Sequence, residues 1–268
     1  MLSLAGKILK AGFLGLVLFF LYAPILVLSV YSFTDSAMIG NFGKFSLKNY
    51  QVLFTVPELQ RMILGTLLLA LVVSVLSTVL GTMGAVGAFY SKKRARFPLE
   101  IMNQIPVVNA EVVTGFSVCI LLIVFLGMDK STYIPLVIGL VSLCSPFVYL
   151  SVMPRLKQMD EEIYEAAMDL GCTSAQALYR VVLPQLVPGI LSGFMLSVTL
   201  TLDDYFICTY TKPAVFDTIS TYVVNATRGA QTQIKTALWA LSAIIFLCVV
   251  LVVLVMNMAG RGSEDRAA

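Results

Sequence analysis

Residues 62–91 read MILGTLLLALVVSVLSTVLGTMGAVGAFYS and contain no charged side chain over 30 consecutive positions. A helix crosses the hydrocarbon core of a bilayer with about 20 apolar residues, at a rise of about 1.5 Å per residue. This stretch is long enough to span a membrane, and it predicts that the chain is a membrane protein.

Similar stretches lie on both sides of the first. Uncharged runs occupy residues 11–34, 131–154, 181–202 and 236–260. Residues 103–126 are equally apolar except for Glu111. The whole chain of 268 residues is 59% hydrophobic and only 12% charged, far from the balance of a water-soluble domain. We expect an all-α, polytopic membrane protein, a single transmembrane domain over residues 1–268, with six transmembrane helices at about 11–33, 63–90, 103–127, 133–153, 187–206 and 236–258.

The basic residues are distributed unequally between the two sides of these spans. Eleven of the 18 Lys and Arg residues fall on one side, and seven fall on the other. Because cytoplasmic loops carry the excess of positive charge, both termini are predicted to be cytoplasmic. The longest loop on that side covers residues 154–186.

The composition also excludes several classes of function. The chain has no histidine, which removes His-ligated metal sites, Ser-His and Cys-His nucleophile pairs and HExxH proteases. Its five cysteines form no CxxC motif and are expected to be packing residues rather than a metal site or disulfides. A net charge of +3 does not indicate nucleic-acid binding.

The cytoplasmic loop contains a helix–turn–helix pattern. Acidic residues from Asp160 begin a short helix, and Gly171 is suited to the left-handed position that ends one. Thr173 or Ser174 can cap a second helix, which Leu183-Pro184 is expected to interrupt before the fifth span. Small side chains at Ala166 and Ala167 keep the first helix slim enough to enter a groove.

The spacing of this loop resembles a known motif. It is similar to the EAA loop of ABC importer permeases, whose pattern is EAA-x3-G-x9-I-x-LP. In this chain the pattern is matched by Glu165-Ala166-Ala167, Gly171, Val181 in place of Ile, and Leu183-Pro184, with the same spacing. The resemblance implies a type I importer permease (MetI-like) fold. It also implies that residues 154–186 form the coupling loop, with contacts to a cytosolic ATPase at Glu165, Ala166, Ala167, Gly171, Leu183 and Pro184.

The same resemblance implies that this chain is not itself an enzyme. It has no GxxxxGK[ST] phosphate-binding loop, so ATP and Mg would be bound by a separate ATPase dimer, and no cofactor is expected in this chain. A bacterial cytoplasmic (inner) membrane location follows from the same family. The other implied partners are a second permease subunit, an extracytoplasmic substrate-binding protein and membrane lipid.

Three further stretches resemble PotC-type subunits of spermidine/putrescine importers. They begin at Phe45 (FSLKNY), Asn109 (NAEVV) and Leu196 (LSVTLTLDDY). This resemblance implies a polyamine cargo, moved by alternating access, and a PotB-like second permease. Ferric ion, sulfate, thiamine or an aminophosphonate remain alternative cargoes. An ion-coupled secondary transporter and a structural or assembly protein of the membrane remain alternatives from other classes.

Acidic residues within the apolar stretches point to the substrate pathway. An ionised carboxylate at mid-membrane costs about 2.5–3.5 kcal/mol on insertion scales, so such residues usually face a protein interior or a water-filled cavity. Glu111, Asp203 and Asp204 occupy such positions, and Tyr205 follows them. We predict that these four residues line the pathway, with no metal site.

Helical geometry would place Asp204 on one face with Thr201, three residues earlier. Two other interpretations stay open. The fifth span could end at about Leu202, which would leave both aspartates at the membrane interface, and Glu111 could pair with a cation on a partner chain.

Overall fold

The computed structural model describes residues 4–35, 43–228 and 237–247. This part of the chain is all-α, as predicted, and its only extended pairing is an isolated bridge between Thr34 and Phe45. The helices are α1 Leu4–Tyr31, α2 Lys48–Thr55, α3 Pro57–Phe89, α4 Lys93–Val108, α5 Glu111–Cys119, α6 Ile134–Gln158, α7 Glu161–Asp169, α8 Ser174–Ala177, α9 Leu183–Asp203, α10 Phe206–Thr211, α11 Ile219–Arg228 and α12 Ala237–Leu247.

The chain divides into two compact units, residues 1–60 with 223–268, and residues 61–222. In the first unit, aromatic rings join α1 to α12: the centroids of Tyr31 and Trp239 lie 6.0 Å apart. Asn49 of α2 is buried, and its side chain donates hydrogen bonds at 3.0 and 2.8 Å to the carbonyl oxygens of Ser32 and Thr34, which lie just beyond the end of α1. These two hydrogen bonds hold α2 against the end of α1.

The second unit is built around α6, which packs against α3 and α9. A Cβ on Gly81 of α3 would lie 2.7 Å from Cβ of Val148, and one on Gly193 of α9 would lie 3.0 Å from the same side chain. Glycine at these positions allows the close backbone approach that helices in membranes require. Gly87, by contrast, has open space around it.

The predicted third span, 103–127, is not one straight helix. The helix starts ten residues earlier, at Lys93, and breaks at Asn109 and Ala110, where α4 and α5 meet at a bend of 105°. The second part continues as a π-helical turn over Ile120–Phe125. Both Asn109 and Ala110 have extended backbone, which ends the hydrogen-bond ladder of α4.

Four helices in the described residues are long and apolar enough to cross a membrane, or five if the bent pair is counted as one span. They correspond to the predicted spans at 11–33, 63–90, 133–153 and 187–206. α12 coincides with the first half of the predicted sixth span, and residues 248–258 lie outside the described residues. The described residues therefore account for only part of the six predicted transmembrane helices.

The expected interruption before the fifth span is absent. Helix runs without a break from Ser174 to Asp203, with a π-helical turn at Leu178–Val182 that ends two residues before Pro184. Proline has no N–H, and its ring clashes with the carbonyl four residues earlier in an α-helix. The wider π turn changes the hydrogen-bond register at this point, so that Pro184 falls in the first turn of α9.

Candidate functional site

The segment between α6 and α9 has the helix–turn–helix form that the sequence predicts. The carboxylate of Asp160 accepts a hydrogen bond from the Glu162 amide at 3.0 Å and caps the start of α7. At the other end, Gly171 has φ +89°. The Gly171 and Cys172 amides donate to the carbonyls of Met168 and Ala167 at 2.9 and 3.1 Å, which is the Schellman arrangement.

The second helix of this segment begins with a capping box. The Thr173 hydroxyl accepts from the Gln176 amide, and the Gln176 side chain accepts from the Thr173 amide at 3.0 Å. Of the two caps that the sequence allowed, the structure uses Thr173. Only three residues, Leu170, Gly171 and Cys172, separate the end of α7 from this cap, so the turn is short and held at both ends.

Apolar contacts attach this segment to the membrane helices. Leu178 and Val182 of the π turn and Tyr164 of α7 pack on a buried cluster that includes Val152 and Leu156 of α6. The ring of Tyr164 also lies 4.8 Å from that of Tyr90, at the end of α3. A displacement of α7 would be transmitted through these contacts to the ends of α3, α6 and α9, since packed cores resist compression.

The predicted coupling residues have different environments. Glu165 and Ala166 are exposed, but Ala167 is buried at 7% exposure, so its small side chain makes room for packing within the chain. Leu183 is half-buried, and Pro184 is exposed at the start of α9. Leu170, which no sequence pattern singled out, is 87% exposed beside Gly171 and adds apolar surface to the outward face of the turn.

The second region lies at the opposite end of α6. α9 ends at Asp203, and the backbone of Asp204 is extended, so Asp204 does not follow the helical register expected with Thr201. Its side chain is 4% exposed, and Oδ2 accepts a hydrogen bond from the Cys208 amide at 2.8 Å. Oδ1 is buried with no hydrogen-bond partner among the described residues. Asp203, directly before it, is exposed.

Glu111 lies in the region of Asp204 because α5 packs closely against α10. A Cβ on Gly115 of α5 would lie 3.2 Å from the backbone nitrogen of Ile207. One turn before Gly115, Glu111 is exposed and close enough to Asp204 for the two charges to interact. Tyr205 is half-buried, with its ring 5.3 Å from that of Phe206. Glu111 and Asp204 therefore lie in one region, with Asp203 and Tyr205 next to Asp204 in the chain, far from the loop of residues 154–186.

Other residues hold this acidic region in place. The Ser220 hydroxyl donates to the carbonyl oxygen of Asp204 at 2.5 Å, and Ile207 fills the space left by Gly139 on α6. Sequence reasoning missed both contacts. Ser220 lies 16 positions from Asp204 in an ordinary polar stretch, so no local pattern could have identified it.

No group of three or more acidic or cysteine side chains in the described residues could hold a metal ion. Cys144 and Cys208 are fully buried in an apolar cluster with Leu140 and Ile207, so they are packing residues, as the sequence predicts. The four cysteines in the described part of the chain are free thiols.

Comparison with known proteins identifies the family. Residues 77–264, more than half of the chain, match the model for the binding-protein-dependent transport system inner membrane component. The chain belongs to this family. It is thus a permease subunit of an ABC importer and a multi-pass membrane protein.

Individual relatives agree with this family. The permease is 30% identical to the putrescine transport system permease protein PotI of Escherichia coli K12, over 81% of this chain and 79% of the relative. It is 25% identical to the spermidine/putrescine transport system permease protein PotC of the same organism, over 96% and 95%. A sulfate transport system permease protein, CysT of Salmonella typhimurium, is 29% identical over 63% of this chain and 65% of the relative.

Solved structures match the fold. A bacterial ABC transporter involved in the import of the acidic polysaccharide alginate matches the permease with a TM-score of 0.73 over 94% of this chain and 96% of that chain, at 19% identity. A bacterial alginate transporter in complex with a pentasaccharide-bound periplasmic protein gives 0.71 over 91% and 92%, also at 19% identity. These matches support the importer permease fold predicted from the EAA spacing.

Proposed function

We propose that this permease carries a polyamine, spermidine or putrescine, through the membrane, and that Glu111, Asp203, Asp204 and Tyr205 contact or shape its path. The observation that carries the proposal is the packing of α5 on α10, which brings Glu111 into the region of Asp204 and its neighbour Asp203. None of the three forms a salt bridge within the described residues. The PotI and PotC relatives, named as putrescine and spermidine/putrescine permeases, support the same cargo.

Helix termini of both signs meet at this region. α4 ends three residues before Glu111 and α9 ends at Asp203, but α5 begins at Glu111 and α10 begins at Phe206. The partial charges of the C-termini, about −0.5 each, are therefore offset by those of the N-termini that follow them. It is the formal charge of the carboxylates that favours an ammonium group. Two unit charges at 4 Å gain about 4 kcal/mol at an effective dielectric of 20.

The break between α4 and α5 supports a water-filled path. Asn109, Ala110 and Glu111 are exposed, although the stretch that contains them is apolar. Irregular backbone at membrane depth is tolerated only where protein covers it or where it lines a water-filled cavity. We assign the break to the wall of such a cavity, with Asp203 on the same wall and the buried Asp204 holding α10 in position.

The coupling segment, residues 154–186, would transmit the ATPase cycle. In this proposal the segment is cytoplasmic, both termini lie on the same side, and the exposed Glu165, Ala166 and Leu170 contact the ATPase. A separate ATPase dimer binds ATP and Mg, a PotB-like permease forms the other half of the pore, and an extracytoplasmic binding protein delivers cargo. The packing of Tyr164 on the ends of the membrane helices supports this role.

Other cargoes fit the acidic region less well. Sulfate, which the name of the CysT relative specifies, would be repelled by the exposed carboxylates of Glu111 and Asp203. An ion-coupled transporter could use intramembrane acids, but it gives no reason for the structured EAA segment. Uptake that persists when an uncoupler removes the ion gradient while ATP is kept constant would exclude that mechanism.

The cargo is tested by uptake of radiolabelled spermidine into liposomes that contain all partner subunits and the binding protein. Asp203→Asn removes a charge while preserving shape, and it should raise the spermidine concentration needed for half-maximal uptake about ten- to hundredfold, corresponding to about 1.4–2.8 kcal/mol. Glu58→Gln, at an exposed acid in the first turn of α3, is the matched control and should be neutral. Normal uptake by both variants would remove Asp203 from the path. Transport of sulfate but not spermidine would refute the polyamine assignment.

A further inference from the structure

The outward face of α4 carries an unusual combination of side chains. Arg94, Phe97, Ile101 and Ile105 follow one another at spacings of three, four and four residues, which places them on one face of the helix. We call these four residues the α4 stripe. Arg94 is exposed, and the three apolar members are 68%, 46% and 59% exposed. The stripe thus has one positive charge, at its beginning, followed only by apolar surface.

The opposite face of α4 is polar and contacts the rest of the unit. Arg96 bonds Glu100 at 3.2 Å, and Lys157 near the end of α6 reaches the same carboxylate at 3.4 Å. Further along, the Asn103 side chain donates to the carbonyl of Pro146 at 3.3 Å. The polar face is therefore turned to protein and the apolar face away from it, the reverse of the pattern for a helix in water.

These contacts also fix the direction of α4. The Glu100–Lys157 ion pair lies at the end of α6 next to the coupling segment, whereas Pro146 lies in the middle of α6. α4 therefore begins at the coupling end and runs toward the centre of the unit. From Phe97 to Ile105 the stripe is about 12 Å long, most of the roughly 15 Å of hydrocarbon in one leaflet.

We propose that the α4 stripe binds one anionic phospholipid of the cytoplasmic leaflet, with its phosphate on Arg94 and an acyl chain along Phe97, Ile101 and Ile105. Positive charge at headgroup depth followed by apolar surface one leaflet long matches the head and tail of an anionic lipid. Arg96 does not contribute, because Glu100 already holds it. The exposed Lys92, just before α4, adds a second positive charge near the headgroup. The inference rests on the proposed orientation, with the coupling segment cytoplasmic.

The test measures lipid retained by the complete transporter after extraction from nanodiscs of phosphatidylcholine with phosphatidylglycerol, by native mass spectrometry. Arg94→Gln should lower phosphatidylglycerol retention about fivefold, equivalent to the roughly 1 kcal/mol that a basic residue contributes at an anionic surface. Arg94→Lys should retain it. Lys130→Gln, which removes an exposed charge at the other end of the unit, is the matched control and should have no effect.

Equal phosphatidylglycerol retention by Arg94→Gln and the unaltered transporter would overturn the proposal. Loss of the second permease from the purified Arg94→Gln complex would also overturn it, because the stripe would then be a protein interface. Lipid retention is measured without cargo, so the result can be interpreted even if the polyamine assignment fails.

Discussion

Gly171 provides the sharpest test of the coupling segment. Its φ of +89° lies in the left-handed region, and a Cβ added there would meet no atom within 4 Å. Gly171→Val therefore introduces no steric overlap with neighbouring groups, and its cost is conformational. The left-handed conformation costs about 1–2 kcal/mol for a residue with a Cβ, and β-branched side chains are the least tolerant.

A penalty of about 2 kcal/mol would reduce the population of the native turn about thirtyfold relative to alternative conformations. The Schellman bonds from the amides of Gly171 and Cys172 would then be lost, and α7 would no longer be held against α8. We expect Gly171→Val to reach the membrane in normal amounts, to lose ATP-driven uptake and to copurify poorly with the ATPase. Gly171→Asn should keep much of the activity, since Asn tolerates this conformation better.

Gly127 is the matched control for this substitution. It also has a positive φ, +64°, with no atom within 4 Å of an added Cβ, but it lies in the loop before α6, away from the coupling segment. Gly127→Val should therefore carry a similar backbone cost without losing the ATPase. Equal loss of ATPase copurification in both valine variants, or full uptake by Gly171→Val, would refute the assignment of the turn to coupling.

The other predictions concern packing, docking and topology. Gly81→Ala should lower the unfolding temperature of the detergent-solubilised complex, because the added Cβ would lie 2.7 Å from neighbouring atoms, whereas Gly87→Ala should not. Ala166→Trp should leave the protein folded but prevent ATPase copurification, since the side chain is exposed; normal copurification would place the contact elsewhere. A cysteine at Ser174 should react with a membrane-impermeant reagent only after permeabilisation, and one at Ser46 in intact cells; labelling of Ser174 from outside would reverse the orientation.

Features that depend on local interactions were determined by the sequence alone. The length of each uncharged stretch sets whether a helix can cross a membrane, so the all-α membrane class followed from composition and spacing. The turn at Gly171 was also predictable, because it depends on local interactions. Only glycine adopts a positive φ without cost, and the hydrogen bonds of a helix end are made within a few residues.

Contacts between segments that are far apart in the sequence decided the features that the sequence did not predict. No pattern in the sequence indicates that α4 and α5 meet at 105°, since the apolar run continues across the break at Asn109. Asp203 and Asp204 are identical neighbours in sequence, yet one is exposed and the other buried, because α9 ends between them and Asp204 turns inward to bind the Cys208 amide. Likewise Ala166 is exposed and Ala167 is buried, because neighbouring positions of a helix point about 100° apart and only one of them faces the rest of the protein. Such differences arise where helices pack together, and a side chain's sequence neighbours do not specify which helix it will meet.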